Sequence, residues 1–345
     1  MPAVVLEPEA AAVADAASAP PFLSELGPEA ARKVLVDLQS GPIAKPDVAE
    51  QWVTVPAAVG DVRVRLVRPA GATGTLPVVV YLHDGGWILG DARTHDRLVR
   101  ELATGARAAV AFVEYTPAPE ARYPVALEQG YAAAQWLTAH GAEHGLDAAR
   151  LAVAGDSAGG ALATALTLLA KDRGDVRFVH QSLYYPVTDA AMDTGSYAEF
   201  ATGFSLTRTA MQWFWDAYAP DAGRRAEITA SPNRATREQL AGLPPAFVLV
   251  AEADVLRDEG ETYAAKLRAA RVRTTTVRYA GVIHDFMVLN SLAGTRACRG
   301  AIAQATAVLR DALGTGLPQP GDHPAFHPAP ERTPRGVASG QPEGT

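Results

Sequence analysis

From Val62 onward the chain alternates between two hydrophobic rhythms. Short apolar runs read as strands: "VRVRLVRP", "LPVVVYLH", "AAVAFVEY", "RLAVAG", "HQSLYYP", "AFVLVAEAD" and "TTTVRYA". Between them lie segments with apolar residues at helical spacing: "THDRLVRELATGA", "PVALEQGYAAAQWLTAHGAEHG", "AGGALATALTLLAKDRG", "EGETYAAKLRAARV" and a last helix near 291–314. Thr94 is placed to cap the first of these. Such alternation predicts an α/β architecture, a mostly parallel central sheet flanked by helices. Residues 1–50 read as a peripheral helical segment in which "GPEAARKVLVDLQSG" ends at Gly41. Residues 51–316 form the main domain. Near 190–230 the rhythm breaks and a helical insertion is expected, with Met211, Phe214, Trp215 and Tyr218 at i, i+3, i+4 and i+7 on one apolar face. Residues 317–345, rich in Pro and Gly, read as a disordered tail.

Composition narrows the function classes. The chain has 345 residues, 48% of them hydrophobic, enough for one sizeable core. Its formal charge is −7 with the signs interspersed, and no basic stripe suggests nucleic acid. A single cysteine, Cys298, permits no internal disulfide and suits a reducing compartment. No run of about 18 apolar residues predicts a membrane span. "EAAAVADAASAP" lacks a basic start, and acidic Glu7, Glu9 and Asp15 do not fit a signal peptide. The expectation is a cytoplasmic protein, with room for a homodimer.

One constellation carries chemistry. "GDSAG", Gly155 to Gly159, follows an apolar strand and opens an Ala-rich helix, the context of a nucleophile elbow. There Ser157 would sit at a strained apex with its hydroxyl exposed. A serine hydroxyl needs a base. Of eight histidines, His284 in "AGVIHDF" follows the last strand and shares a sheet edge with Ser157. His140 and His144 sit near a polar helix end, His180 starts a strand, and His95 reads as a surface or supporting residue. His323 and His327 have metal-like spacing, but a disordered segment does not preorganise a metal site. The base needs an orienting carboxylate. Asp254, directly after "AFVLVAEA", ranks first, ahead of Asp258 and Glu252; Asp285 adjoins His284, and neighbouring side chains usually diverge.

Attack on an ester carbonyl creates an oxyanion that fixed N–H donors must meet. The N–H of Ala158 is one. "HDGGW" follows the strand "VVVYLH" at the same edge, and Gly85 and Gly86 leave their N–H groups open to close approach. His83 would brace this loop rather than move protons.

These motifs resemble the bacterial hormone-sensitive-lipase family of esterases, within the α/β-hydrolase fold. The likeness spans roughly residues 60–312 and rests on "HDGGW", "YTPAPE" (Tyr115–Glu120), "GDSAGG", "DVLRDEG" and "GVIHDF". Ser157, Asp254 and His284 stand in the family's order. Where the family has His-Gly-Gly-Gly, this chain has Asp84 for the first glycine. The second and third, which donate to the oxyanion, correspond to Gly85 and Gly86. An aspartate tolerates a glycine-like dihedral better than most residues, and its charge would oppose catalysis if it faced the oxyanion. The proline after the acid is Val255 here. The resemblance further implies a cap built from the N-terminal helices and the insertion.

The reading is a serine carboxylic-ester hydrolase that forms an acyl-enzyme on short-acyl, small-molecule esters, with no metal and no cofactor. Trp87, Met211, Phe214 and Trp215 are the candidate walls of the substrate pocket. The alternative for the insertion's aromatic stripe is packing of the cap onto the core. An acyl hydrolase or acyltransferase tailoring one natural product shares the same motifs. So does a ligand-binding receptor on this scaffold, although receptors of this kind commonly lose the base that His284 supplies.

Overall fold

The computed structural model describes residues 4–316; the stretch 317–345, read above as a tail, lies outside them. The N-terminal segment carries α1 (Pro8–Ala17), α2 (Leu23–Leu26) and α3 (Pro28–Gln39). Pro8 and Pro28 open two of them, where a missing N–H costs nothing. Then come β1 (Val48–Val55), β2 (Val62–Pro69), β3 (Leu76–Leu82), α4 (Asp96–Ala106), β4 (Ala109–Glu114), α5 (Val125–His140), β5 (Leu146–Asp156), α6 (Ala158–Arg173) and β6 (His180–Tyr184). The insertion holds α7 (Gly195–Glu199), α8 (Arg208–Tyr218), α9 (Ala222–Arg225) and α10 (Arg237–Leu240). The chain closes with β7 (Ala246–Ala253), α11 (Arg257–Ala269), β8 (Thr274–Ile283) and α12 (Arg296–Leu313).

The eight strands form one sheet in the order β1-β2-β4-β3-β5-β6-β7-β8. From β4 to β8 every pairing is parallel, while β1–β2 and β2–β4 are antiparallel. The apolar pattern gives no sign of β1, because it is an edge strand whose side chains mostly face water. The central strands carry unbroken Val, Ala and Leu runs because both their faces are covered.

Register places the chemistry. Leu82 at the end of β3 pairs with Gly155, and Gly155 and Asp156 pair with Leu183 and Tyr184. Ala253 pairs with Ile283, so Asp254 and His284 leave the sheet side by side. The loop after β3, the turn after β5 and these two residues therefore meet at one sheet edge.

One expected cap is not a cap. His95, not Thr94, occupies the position before α4, and the Thr94 hydroxyl bonds to Asp91 and His95 instead. Asp258 lies in the first turn of α11, after a cap position held by Leu256. In α8 the sequence signals hold. Thr207 accepts from the Ala210 N–H, and Met211, Phe214, Trp215 and Tyr218 are the buried residues of the helix. Burial of side chains this size stabilises by about 1.5–3 kcal/mol each.

Candidate active site

Ser157 is the single residue between β5 and α6, with φ 48° and ψ −116°. A non-glycine residue held there is strained, and the surroundings fix it. Its N–H donates to the Tyr184 carbonyl, and its own carbonyl accepts from Ala161 and Val187. The turn is tight enough to demand glycine at position 159, where a Cβ would lie 2.0 Å from the Leu82 carbonyl oxygen. This packs the start of α6 onto the end of β3, so the nucleophile candidate and the glycine loop are held together.

His284 bridges the other two members. Its Nε2 lies 2.9 Å from Ser157 Oγ and its Nδ1 2.7 Å from Asp254 Oδ2. Asp254 is fully buried, and its second oxygen accepts the Leu256 N–H at 2.9 Å. The Tyr185 ring meets the imidazole edge-on, 5.0 Å between centroids. The other two carboxylate candidates are engaged elsewhere. Asp258 accepts from the Ser196 N–H and pairs with Arg257, and Glu252 accepts from the Gly281 N–H. Burial disfavours charge on His284, while the Asp254 carboxylate 2.7 Å from Nδ1 favours it and raises the imidazole above its ordinary value.

In the loop after β3, Gly85, Gly86 and Trp87 take φ 102°, 59° and 62°. The left-handed turn therefore falls on these three, and Asp84 does not need the glycine-like dihedral expected of it. Among the described residues no protein acceptor takes the N–H of Gly85, Gly86 or Ala158. The Ala158 N–H lies at the N-terminus of α6, whose dipole favours negative charge, and the adjacent Gly159 packs against the Leu82 and His83 carbonyls at the start of the glycine loop. His83 is buried and stacks on Tyr115 at 4.1 Å with its Nδ1 2.8 Å from the Asp84 carbonyl, while the Tyr115 hydroxyl donates to the His83 carbonyl. Burial pushes His83 down to about 3, so it is neutral. Arg32 on α3 holds the loop from outside, donating to the carbonyls of Ile88 and Ala118 and pairing bidentately with Glu120 of "YTPAPE".

Asp84 does not face the oxyanion as a lone charge. Its Oδ1 lies 3.0 Å from His95 Nε2, which also lies 3.5 Å from Asp156 Oδ2. Tyr81 donates to the other Asp156 oxygen at 2.8 Å. His95 is thus a buried supporting residue, not a surface one. Burial opposes its charge, and the Asp84 and Asp156 carboxylates override that and raise it. Asp84, His95 and Asp156 offer ligand-type atoms within 4.8 Å of one another. The bonding favours an ion cluster over a metal centre. The Thr94 hydroxyl donates to the Asp91 carbonyl, so its oxygen accepts from His95 Nδ1–H. Nε2 faces two carboxylates, where a proton is held and a lone pair repelled.

Asp285 is the residue the sequence reading set aside. With φ 64° its chain turns back, and its side chain does not diverge: Oδ1 lies 3.1 Å from His284 Nε2. Only local backbone geometry brings it there, which residue spacing does not reveal.

The aromatic stripe packs on the same loop. Trp87 stacks on Tyr218 at 4.3 Å and tilts against Trp215 at 4.7 Å, all three buried. Phe214 lies directly over Gly86, where a Cβ would come 2.1 Å from its ring. Met211 is buried one turn before.

An α/β-hydrolase-fold family model matches residues 79–288. The carboxylesterase NlhH of Mycobacterium tuberculosis is 38% identical over 271 residues, 77% of this chain and 84% of the relative. An ethyl acetate hydrolase of Pseudomonas putida is 37% identical over 232 residues, 66% and 72% of the two chains. The crystal structure of a thermostable esterase from Pseudomonas putida ECU1011 superposes with a TM-score of 0.88 at 46% identity, covering 91% of this chain and 98% of that one.

Proposed function

We propose, from the premise that this chain belongs to the hormone-sensitive-lipase-like branch of the α/β-hydrolase family and is a carboxylesterase, that it cleaves short-acyl esters through an acyl-enzyme on Ser157. His284 Nε2 removes the Ser157 proton as Oγ attacks the acyl carbon. Asp254 holds the imidazole with Nε2 toward the serine and stabilises its charged form. The N–H groups of Gly85, Gly86 and Ala158 receive the oxyanion, each worth about 3 kcal/mol of barrier. His284 returns the proton to the departing alcohol, and water repeats the attack on the acyl carbon. His83 braces the loop. The observation that carries this reading is the continuous 2.7 and 2.9 Å chain from Asp254 through His284 to a serine strained out of its strand.

We infer the short-acyl preference from the bulky Phe214 ring that lies over Gly86, beside Trp87, in the candidate oxyanion loop. The name of the ethyl acetate hydrolase relative points the same way. Among the described residues no helix is long and apolar enough to cross a membrane. The single cysteine, a buried free thiol, supports a cytoplasmic setting.

A series of p-nitrophenyl esters tests the substrate class. Chains of about two to eight carbons are cleaved with higher kcat/KM than those of about sixteen, since a pre-formed pocket accepts what fits it. Phe214→Ala moves the optimum toward longer chains. A parent enzyme that prefers palmitate overturns the short-acyl reading. A Phe214→Ala profile matching the parent's removes Phe214 from the wall.

A further inference from the structure

His95 stands where the loop after β3 enters α4, and its ring reaches the two residues that precede the reacting backbone. Asp84 comes immediately before Gly85, the first glycine of the candidate oxyanion loop, and Asp156 immediately before Ser157. One imidazole nitrogen serves both: Nε2 lies 3.0 Å from Asp84 Oδ1 and 3.5 Å from Asp156 Oδ2. His95, Asp84 and Asp156 are 1%, 2% and 0% exposed, so water screens these charges little. Both ring nitrogens carry a proton. Thr94 Oγ1 donates to the Asp91 carbonyl and accepts the Asp91 N–H, each at 2.9 Å. Its second lone pair faces Nδ1 at 3.0 Å, so Nδ1 donates. Nε2 faces two carboxylates, where only a proton is favourable. A ring protonated on both nitrogens is a cation. Nε2 points between the two carboxylates and straight at neither, so charge holds them more than hydrogen bonding does.

The ring is held in place from every side. His83 from the loop after β3 and Phe112 from β4 flank it, 5.4 and 6.0 Å between centroids. Asp91 Oδ1 accepts the N–H groups of Arg93 and Thr94, which fixes the turn before it. Two residues on, Arg97 donates to the carbonyls of Met287 and Val288, just beyond His284. The Tyr81 hydroxyl holds the other Asp156 oxygen at 2.8 Å. Without the cation, two buried carboxylates would repel across the gap between the glycine loop and the serine turn. We propose that His95 is a cationic bridge that sets the spacing between the oxyanion donors and Ser157, a positioning residue for ester cleavage, with Asp84 as the loop's hold on it. The bridge transfers no proton; proton movement stays between Ser157 Oγ, His284 Nε2 and the leaving alcohol. The inference rests on Ser157, Gly85 and Gly86 having the roles given above. It gives the aspartate of "HDGGW" a task, since a charge that would oppose an oxyanion is turned toward His95.

The test compares the parent with Asp84→Asn, His95→Phe and the double variant. The readouts are kcat and KM on a short-chain ester, the Ki of a trifluoromethyl ketone that forms an oxyanion adduct with Ser157, and thermal melts. Asp84→Asn decides by sign. Taking a negative charge from beside the oxyanion raises kcat if Asp84 acts only through its field. If Asp84 holds the loop, kcat falls about tenfold, a fraction of the about 10²–10³ that losing a whole donor costs, with KM within about twofold. The ketone weakens by the same factor as kcat/KM, because it samples the same donors. His95→Phe falls at least as far, and adding Asp84→Asn to it costs nothing further, since one tie has been cut twice. A rise or no change in kcat for Asp84→Asn overturns the bridge. So do losses that multiply in the double variant, or a lower melting temperature with undiminished turnover. If His95→Phe does not fold, the ¹⁵N signals of the His95 imidazole, assigned through bonds from Thr94, decide. Both nitrogens stay protonated through about pH 8 in the parent, and a bare nitrogen at about pH 7 overturns the bridge. A parent that takes no fluorophosphonate at Ser157 overturns the reading of the site and the bridge's role with it. With Ser157 labelled, the contrary outcomes above overturn the bridge alone.

Discussion

Replacing Asp254 by asparagine changes one atom and reverses the logic of the site. The Asp254 Oδ1 accepts the Leu256 N–H at 2.9 Å and Oδ2 faces His284 Nδ1 at 2.7 Å. The asparagine oxygen must stay on the Leu256 N–H, so its NH₂ turns toward Nδ1. Nδ1 then has to accept, which moves the imidazole proton to Nε2. Nε2 would face Ser157 Oγ at 2.9 Å with a proton where the base needs a lone pair. In a serine-protease triad the same substitution costs about 10⁴ in kcat, four tenfold steps of about 1.36 kcal/mol, or roughly 5.4 kcal/mol of barrier. The fold should survive, since the buried group stays hydrogen-bonded and loses a charge. Asp258→Asn is the control. It faces Ser196 and Arg257 and not the imidazole, so it costs about 1 kcal/mol of stability and little turnover. Initial rates on p-nitrophenyl butyrate, with thermal melts of each variant, give both quantities. A folded Asp254→Asn within tenfold of the parent, or a folded and inactive Asp258→Asn, refutes the assignment of the acid.

Two further outcomes follow from single positions. Gly86→Ala places a Cβ 2.1 Å from the Phe214 ring at φ 59°, so it lowers kcat by about 10²–10³ as an oxyanion donor shifts, and Phe214→Ala added to it restores part of the loss; full activity in Gly86→Ala removes Gly86 from the oxyanion site. Glu259 is pushed up to about 8 by burial, against the Thr188 and Asp189 N–H groups that favour its charge. Its folded value lies above its unfolded one, so its contribution is full below about 4.5 and lost as pH rises through about 8, at about 1.4 kcal/mol per pH unit. Urea unfolding at pH 5 and pH 8 shows the parent losing stability relative to Glu259→Gln over that interval, and parallel curves contradict it.

What the sequence reveals of this protein follows from where its signals are local. The Ser157 elbow, the glycine loop and the strand ends before Asp254 and His284 are written in contiguous motifs, and parallel strands of fixed register bring them to one edge. Edge strand β1 leaves no apolar pattern because it buries little. Thr94 looks like a cap, but its hydroxyl serves Asp91 and His95. His95 and Asp156 are single polar residues inside otherwise ordinary segments, and only the packing of α4 against β2 and β4 and the register of β5 make them one cluster with Asp84. Asp285 depends on a left-handed φ that adjacency in sequence does not announce. The helical stripe on α8 was legible as an apolar face, while the placement of Phe214 over Gly86 required tertiary contact.

The central claim is that Ser157 is the nucleophile, and covalent trapping tests it most directly. A fluorophosphonate that mimics the acyl transition state should add once per chain, with the mass shift on the peptide carrying Ser157, and should not add to Ser157→Ala or at neutral pH to His284→Ala. An adduct mapped to any other residue, or an active enzyme that takes none, contradicts the account.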